Sequence, residues 1–164
     1  MQAVVINEVQ IDGQTVKDEF IELFNPNNYD IDLAGFFLKK KTSGGTEKNL
    51  VSSGKFTGII PALGYFLIAP EVNDDETPNY MGAVTPNLYY SVKSESVAKD
   101  NTVLLYNKDD ILQDKVGFGL AQDFETMPAL NPAEFESVIR TGGVDTNDNS
   151  VDFVISKIPT PWTN

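Results

Sequence analysis

Cysteine and histidine are both absent from the 164 residues. Without cysteine there is no disulfide, no zinc thiolate site and no thiol nucleophile. The redox compartment stays open, because a cysteine-free domain folds in either. Without histidine there is no Ser-His or Cys-His pair and no imidazole for zinc, copper or non-haem iron. Acid–base chemistry is left to carboxylates, Lys, Tyr and hydroxyls, and a metal site would be built from oxygen, which favours calcium or magnesium. Positive charge is also scarce: 12 Lys+Arg against 24 Asp+Glu gives a net charge of -12. Such a surface repels phosphate backbones and anionic membranes, so no nucleic-acid partner is expected. The one basic cluster, Lys39, Lys40 and Lys41, reads as a solvated strand edge. No apolar run approaches the ~18 residues of a membrane span, so no membrane insertion is expected. Sustained helical periodicity, heptads, tandem repeats and low-complexity tracts are missing too.

What is present is a series of short strand signals with turns between them. A chain of this length is one domain by default and buries roughly two-thirds of its unfolded surface. Strand character recurs at residues 3–9, 19–24, 31–33, 36–40, 65–69, 102–106, 111–118, 137–140 and 151–155. Turns stand at 25–28 (NPNN), 43–45 (SGG) and 107–110 (NKDD), the last joining a hairpin. In the second run, Ile21 and Leu23 fall on one face and Phe20, Glu22 and Phe24 on the other. This pattern predicts an all-β, antiparallel sandwich or barrel. Residues 71–100 and 120–135 read as long insertions in it. Connections this long often carry function. Tyr89 and Tyr90, inside the first, are the candidate binding surface, because Tyr tolerates both water and burial; plain loop packing is the alternative.

The ordered series of motifs carries a family resemblance. Residues 6–9 (INEV), 20–26 (FIELFNP) and 31–38 (IDLAGFFL) resemble the opening of the lamin tail domain family. Phe56, 63–65 (LGY) and 67–69 (LIA) resemble its middle. Residues 101–105 (NTVLL), 114–119 (DKVGFG) and 137–140 (SVIR) follow in order, and 145–153 (DTNDNSVDF) with 159–161 (PTP) and Asn164 resembles the ending of bacterial members. Phe36 stands where nuclear members usually carry Trp, and the 71–100 segment is a further departure. The resemblance implies an immunoglobulin-like β-sandwich, found in bacteria mostly within large secreted or cell-surface proteins, and an interaction or anchoring role, not catalysis. Residues 1–164 are then expected to be a single such module, with a loop insertion at 71–100, belonging to a longer protein whose targeting signal lies outside the chain.

Three constellations are candidate sites. In the loop 145–152, Asp145, Asn147 and Asn149 alternate as ligands do in the first half of a calcium loop, and Asp152 adds a carboxylate. The sixth position is Ser150 instead of glycine, which rejects an EF-hand. A non-EF calcium cage and a structural turn, in which Asn and Asp bond their own backbone, both fit the pattern. Arg140 precedes the loop and is placed to pair with Asp145 or Asp152. Glu8 and Glu22 lie on strands that could be neighbours, and two carboxylates are the minimum for glycoside hydrolysis; strand glutamates are ordinarily solvent-facing alternates. Phe36, Phe37, Phe66 and Trp162 read as core anchors, with Trp162 either capping the sandwich or marking a junction with a further domain.

The sequence therefore predicts a non-catalytic module that contacts a protein partner or neighbouring domains of its own chain, or that positions a tethered enzyme. A calcium-dependent adhesion module is the alternative, and a carboxylate-based hydrolase a third.

Overall fold

The computed structural model describes residues 2–91 and 95–162; Asn164, quoted above for its resemblance, lies outside them. Among the described residues the strands are β1 (Val5–Gln10), β2 (Phe20–Phe24), β3 (Ile31–Asp32), β4 (Phe37–Lys41), β5 (Glu47–Val51), β6 (Ile59–Ile60), β7 (Tyr65–Pro70), β8 (Leu88–Tyr90), β9 (Thr102–Tyr106), β10 (Leu112–Gly117), β11 (Ser137–Arg140) and β12 (Phe153–Ser156). A six-stranded sheet runs β12-β11-β1-β2-β7-β8, a four-stranded sheet runs β10-β9-β4-β5, and β3 and β6 pair as a small ribbon. The strand pairings are antiparallel except β7 with β8, which is parallel.

The two sheets enclose one core. Ile21, Leu23, Phe66 and Ile68 face inward from the first, and Leu38, Val103, Leu105 and Val116 from the second, with Phe36 and Phe56 in the same cluster. Period-two alternation puts these residues on one face of each pleated strand. The expected division of β2 holds: Ile21 and Leu23 join this core, whereas Phe20 faces the opposite side. This is the antiparallel, immunoglobulin-like sandwich that the sequence predicts. The hairpin turn is also as expected, with Asp110 N–H donating to Asn107 O at 3.1 Å.

Alternation breaks once in β1. A bulge shifts the register against β2 between Ile6 and Glu8. Ile6 and Val9, three positions apart, therefore both reach the core. Asn7 and Glu8 go to the outer face, where Asn7 Nδ2 donates to Glu22 Oε1 at 2.7 Å.

The structure corrects several expectations. The stretch 71–100 is not simply a loop: it packs Tyr80 and Val84 against Phe20, Leu67 and Ala69 on the outer face of the six-stranded sheet, then adds β8. Residues 151 and 152 belong to a helical turn, α1 (Asn149–Asp152), so β12 begins at Phe153. The lysine cluster does not guard an edge, because β4 lies between β9 and β5. Lys40 pairs with Glu95 at 2.9 Å, Lys41 with Asp123 at 3.3 Å, and Lys39 lies over the Phe37 and Tyr106 rings.

Gly58 shows how tightly the core constrains the chain. Its φ is +125°, and a Cβ there would stand 2.6 Å from the Phe66 ring. Gly58→Ala is expected to lower stability by about 1–3 kcal/mol. Gly54→Ala, which meets open space, stays within about 0.5 kcal/mol of the parent. Urea unfolding of both variants checks this, and equal losses would count against a steric role for Gly58.

Candidate functional site

The loop 145–152 is shaped in part by bonds within itself. After β11 the chain turns through Gly142 and Gly143, both in the left-handed region. Asn147 N–H donates to Asp145 Oδ1 at 3.0 Å, closing an Asx turn. Asp148 caps α1, its Oδ1 accepting from Ser150 N–H at 3.1 Å. Asn147 itself has φ of +59°, a conformation that Asn tolerates.

Arg140 gathers this loop. Its side chain is fully buried, with Nη2 2.6 Å from Asp114 Oδ2, Nη1 2.9 Å from Asp152 Oδ2 and Nη1 3.4 Å from Asp145 Oδ1. Nε donates to Ile6 O at 2.9 Å, and the guanidinium carbon stands 4.5 Å from the centre of the Phe153 ring. Asp114 Oδ2 also accepts from Ile6 N–H at 2.6 Å. Arg140 and Asp114 thus clasp both backbone groups of Ile6, the residue where the β1 bulge begins. Asp152 is saturated further by Thr146 N–H at 2.9 Å.

The four predicted loop ligands therefore have separate duties. Asp145 and Asp152 converge on Arg140, as the sequence suggested for that pairing. Asn149 is fully buried and turns away to other partners. Its Oδ1 accepts from Gly117 N–H at 2.9 Å and Glu125 N–H at 3.1 Å, and its Nδ2 donates to Lys115 O at 3.0 Å. Asn147 offers its backbone carbonyl to Thr126 Oγ1 at 2.8 Å. The oxygens that do come together belong to Asp114, Glu125 and Asp145, one from each lying within 4.8 Å of the others.

Sequence reasoning missed Asp114 and Glu125. Asp114 shares strand parity with Val116 and Phe118, both core residues, so a charge at an inward position was a readable signal. Glu125 gave none, since its position follows from the tertiary course of the 120–135 segment. Burial pushes the Glu125 carboxyl up to about 7, helped by the nearby charges of Asp114 and Asp145. Burial also raises Asp114, against the pull of Arg140. The guanidinium and the backbone donor held by Asp114 both require an acceptor, which favours its ionised form.

Of the aromatic pair, Tyr90 is corrected from a binding surface to a core residue. Neighbours on a strand point to opposite faces: Tyr90 is buried, with its hydroxyl donating to Glu19 Oε1 at 2.6 Å, while Tyr89 is 49% exposed. Glu19 is raised to about 8 by burial, against the hydrogen bonds from Tyr90 and Val97. Glu8 and Glu22 are indeed direct cross-strand partners. They do not face solvent, however: both are fully buried, Glu8 Oε1 accepting from Thr160 N–H at 3.1 Å and Glu22 Oε2 from Trp162 N–H at 2.5 Å. The C-terminal segment lies where an open acid cleft would need to be.

Removing Arg140 strands a set of buried carboxylates. Arg140→Met is expected to cost about 3–5 kcal/mol. Arg140→Lys recovers part of this at most, since one ammonium cannot span Asp114, Asp152 and Ile6 O together. Urea denaturation measures both, and a loss below about 1 kcal/mol for Arg140→Met would show that the cluster is not a structural keystone.

The lamin tail domain profile matches residues 1–119, which run from β1 through the end of β10. No curated protein matches the chain. Lamin tail domains are non-catalytic immunoglobulin-like modules. The match spans well over half of the 164 residues and coincides with the sandwich described above: the chain belongs to the lamin tail domain family.

Proposed function

We propose that this chain is a non-catalytic interaction or anchoring module, a single domain of a larger secreted or cell-surface protein, which contacts a protein partner or positions a tethered enzyme. The observation that carries the reading is where its apolar side chains remain outside the core. Leu120 is 79% exposed, Leu130 73% and Val151 64%, and Met127 and Val154 are also exposed. The bond from Ser150 N–H to Met127 O at 3.1 Å joins the backbones that carry Met127 and Val151. Exposed apolar groups on adjoining segments are the usual material of a protein-binding face. The carboxylates that a hydrolase would use are bonded within the fold, Asp114 and Asp152 to Arg140 and the Glu8–Glu22 pair to backbone N–H groups.

Labelled protein is expected to bind saturably to intact cells of its source. Met127→Asp with Val151→Asp is expected to weaken that binding at least about tenfold while leaving the urea midpoint unchanged. Binding that is undiminished in the double variant would remove the proposed face.

A calcium-dependent module is the second reading, supported by the convergence of Asp114, Glu125 and Asp145. Of the expected ligands Asp145, Asn147, Asn149 and Asp152, only Asp145 is among these three, and Asn149 is turned away to Gly117, Glu125 and Lys115. We favour Arg140 as the resident cation, because its guanidinium already bonds Asp114, Asp145 and Asp152. The melting midpoint is then expected to be the same in EDTA and in millimolar calcium. A bound ion at about 100 times its Kd would add about 2.7 kcal/mol, and a clear calcium-dependent rise that is lost in Asp145→Asn would favour the second reading.

A further inference from the structure

We propose that residues 157–162 form a pH-sensitive strap, latched to the outer face of the six-stranded sheet by the Glu8–Glu22 carboxyl pair and loosened when both carboxyls ionise. The latch is built from backbone. Pro159 and Pro161 have no N–H, so the donors from 159 to 162 are Thr160 and Trp162. Thr160 N–H meets Glu8 Oε1 at 3.1 Å, and Trp162 N–H meets Glu22 Oε2 at 2.5 Å. Neutral partners complete the pair: Ser137 Oγ donates to Glu8 Oε1 and Asn7 Nδ2 to Glu22 Oε1. Glu8 Oε2 is buried and has no hydrogen-bond partner among the described residues.

The ion pairs among the described residues involve neither glutamate of the pair. The titratable groups that feel its charge are Tyr65 on β7 and Tyr80; burial holds both hydroxyls above their ordinary range, Glu22 adds to the rise at Tyr65, and Asp18, Glu22 and Glu8 add to it at Tyr80. Lys157, at the start of the strap, lines the adjoining cavity of about 660 Å³ with Phe20, Tyr80 and Phe135. Two buried carboxyls placed directly opposite, with no ion-pair partner among the described residues, cannot both ionise cheaply, so the pair retains a proton. The unpartnered Glu8 Oε2 is the atom free to carry it. Burial accordingly raises both groups and outweighs the opposing hydrogen bonds, those from the strap's Thr160 and Trp162 N–H included: Glu8 goes up, and Glu22 rises to about 7 with the Glu8 charge adding to the rise.

The direction of the effect follows from linkage. With the strap away, both glutamates meet water and titrate in the ordinary carboxyl range. With it docked, they titrate higher, so docking takes up protons. Docking is strongest in mild acid. It weakens as pH rises past the ordinary carboxyl range and on through about 7, the docked value of Glu22. The strap is also one wall of the 660 Å³ cavity, through Ile158, Pro159 and Trp162, so its release opens that groove.

Trp162 is the single tryptophan of the chain, and its ring stacks on Tyr65 at 6.1 Å. Tryptophan emission and iodide quenching of the full chain therefore read the strap alone, while far-UV circular dichroism reads the fold. This separation matters because Glu19 and Glu125, bonded to Tyr90 and Asn149, are raised over a similar range. From about pH 5 to about pH 8.5 the emission is expected to shift to the red and quenching to rise at least about twofold, with circular dichroism constant. Glu8→Gln with Glu22→Gln is expected to abolish the change. A flat wild-type profile, or the same transition in the double variant, would overturn the latch. Hydrogen exchange on the unsubstituted chain gives a second measurement. The Thr160 and Trp162 amides are expected to lose about tenfold in protection between about pH 6 and about pH 8, after correction for intrinsic rates, relative to β9 amides. Unchanged relative protection would equally overturn it.

Discussion

A guanidinium sealed from water is the constraint around which one end of this sandwich is organised. A buried charge is tolerated only when it is paired and its donors are filled. Arg140 meets that demand with Asp114 from the four-stranded sheet, Asp145 and Asp152 from its own loop, and the carbonyl of Ile6. These partners come from three pieces of chain: β10, the loop 145–152 and β1. The cluster therefore fixes how β10 sits against β11, where β1 bulges and how the loop 145–152 is folded. Hydrophobic burial makes the two sheets associate, but it is non-directional; the ion cluster supplies the register.

Local chemistry was readable from the sequence wherever it stayed local. The faces of β2, the bounds of β11 and the turn 107–110 each follow from alternation or from a turn-forming residue, and the structure agrees with them. Where the expectations failed, a distant segment had intervened. Glu8 and Glu22 sit at ordinary outward positions and would be solvated on an isolated sheet. What buries them are backbone groups more than a hundred residues away. Strand β5 carries Glu47, Lys48 and Asn49 and has no apolar signal until Leu50; it forms because β4 presents a ladder to pair with. The bulge in β1 erased the alternation that a regular strand would have shown. In the loop 145–152 the residue types pointed to a special site, but not to whether its cation would be an ion or the neighbouring arginine.

The family match ends at residue 119, whereas the features most particular to this chain come after it. Strands β11 and β12, the Arg140 cluster, the exposed Met127 and Val151, and the segment over Glu8 and Glu22 all lie in the last part of the sequence. The matched region supplies the scaffold. The remainder closes one side of the six-stranded sheet and carries the exposed Leu120, Met127, Leu130 and Val151.

The position of β1 has a consequence for how the molecule is made. It is hydrogen-bonded on one side to β2, an early neighbour, and on the other to β11, which emerges from the ribosome more than a hundred residues later. Until then the first strand keeps an open edge, and Asp114 waits without its guanidinium. That edge is closed only when residues 137–140 have been made, so a nascent chain that has not reached them, or one truncated before them, stays open to strand-on-strand misassociation and to chaperones and proteases.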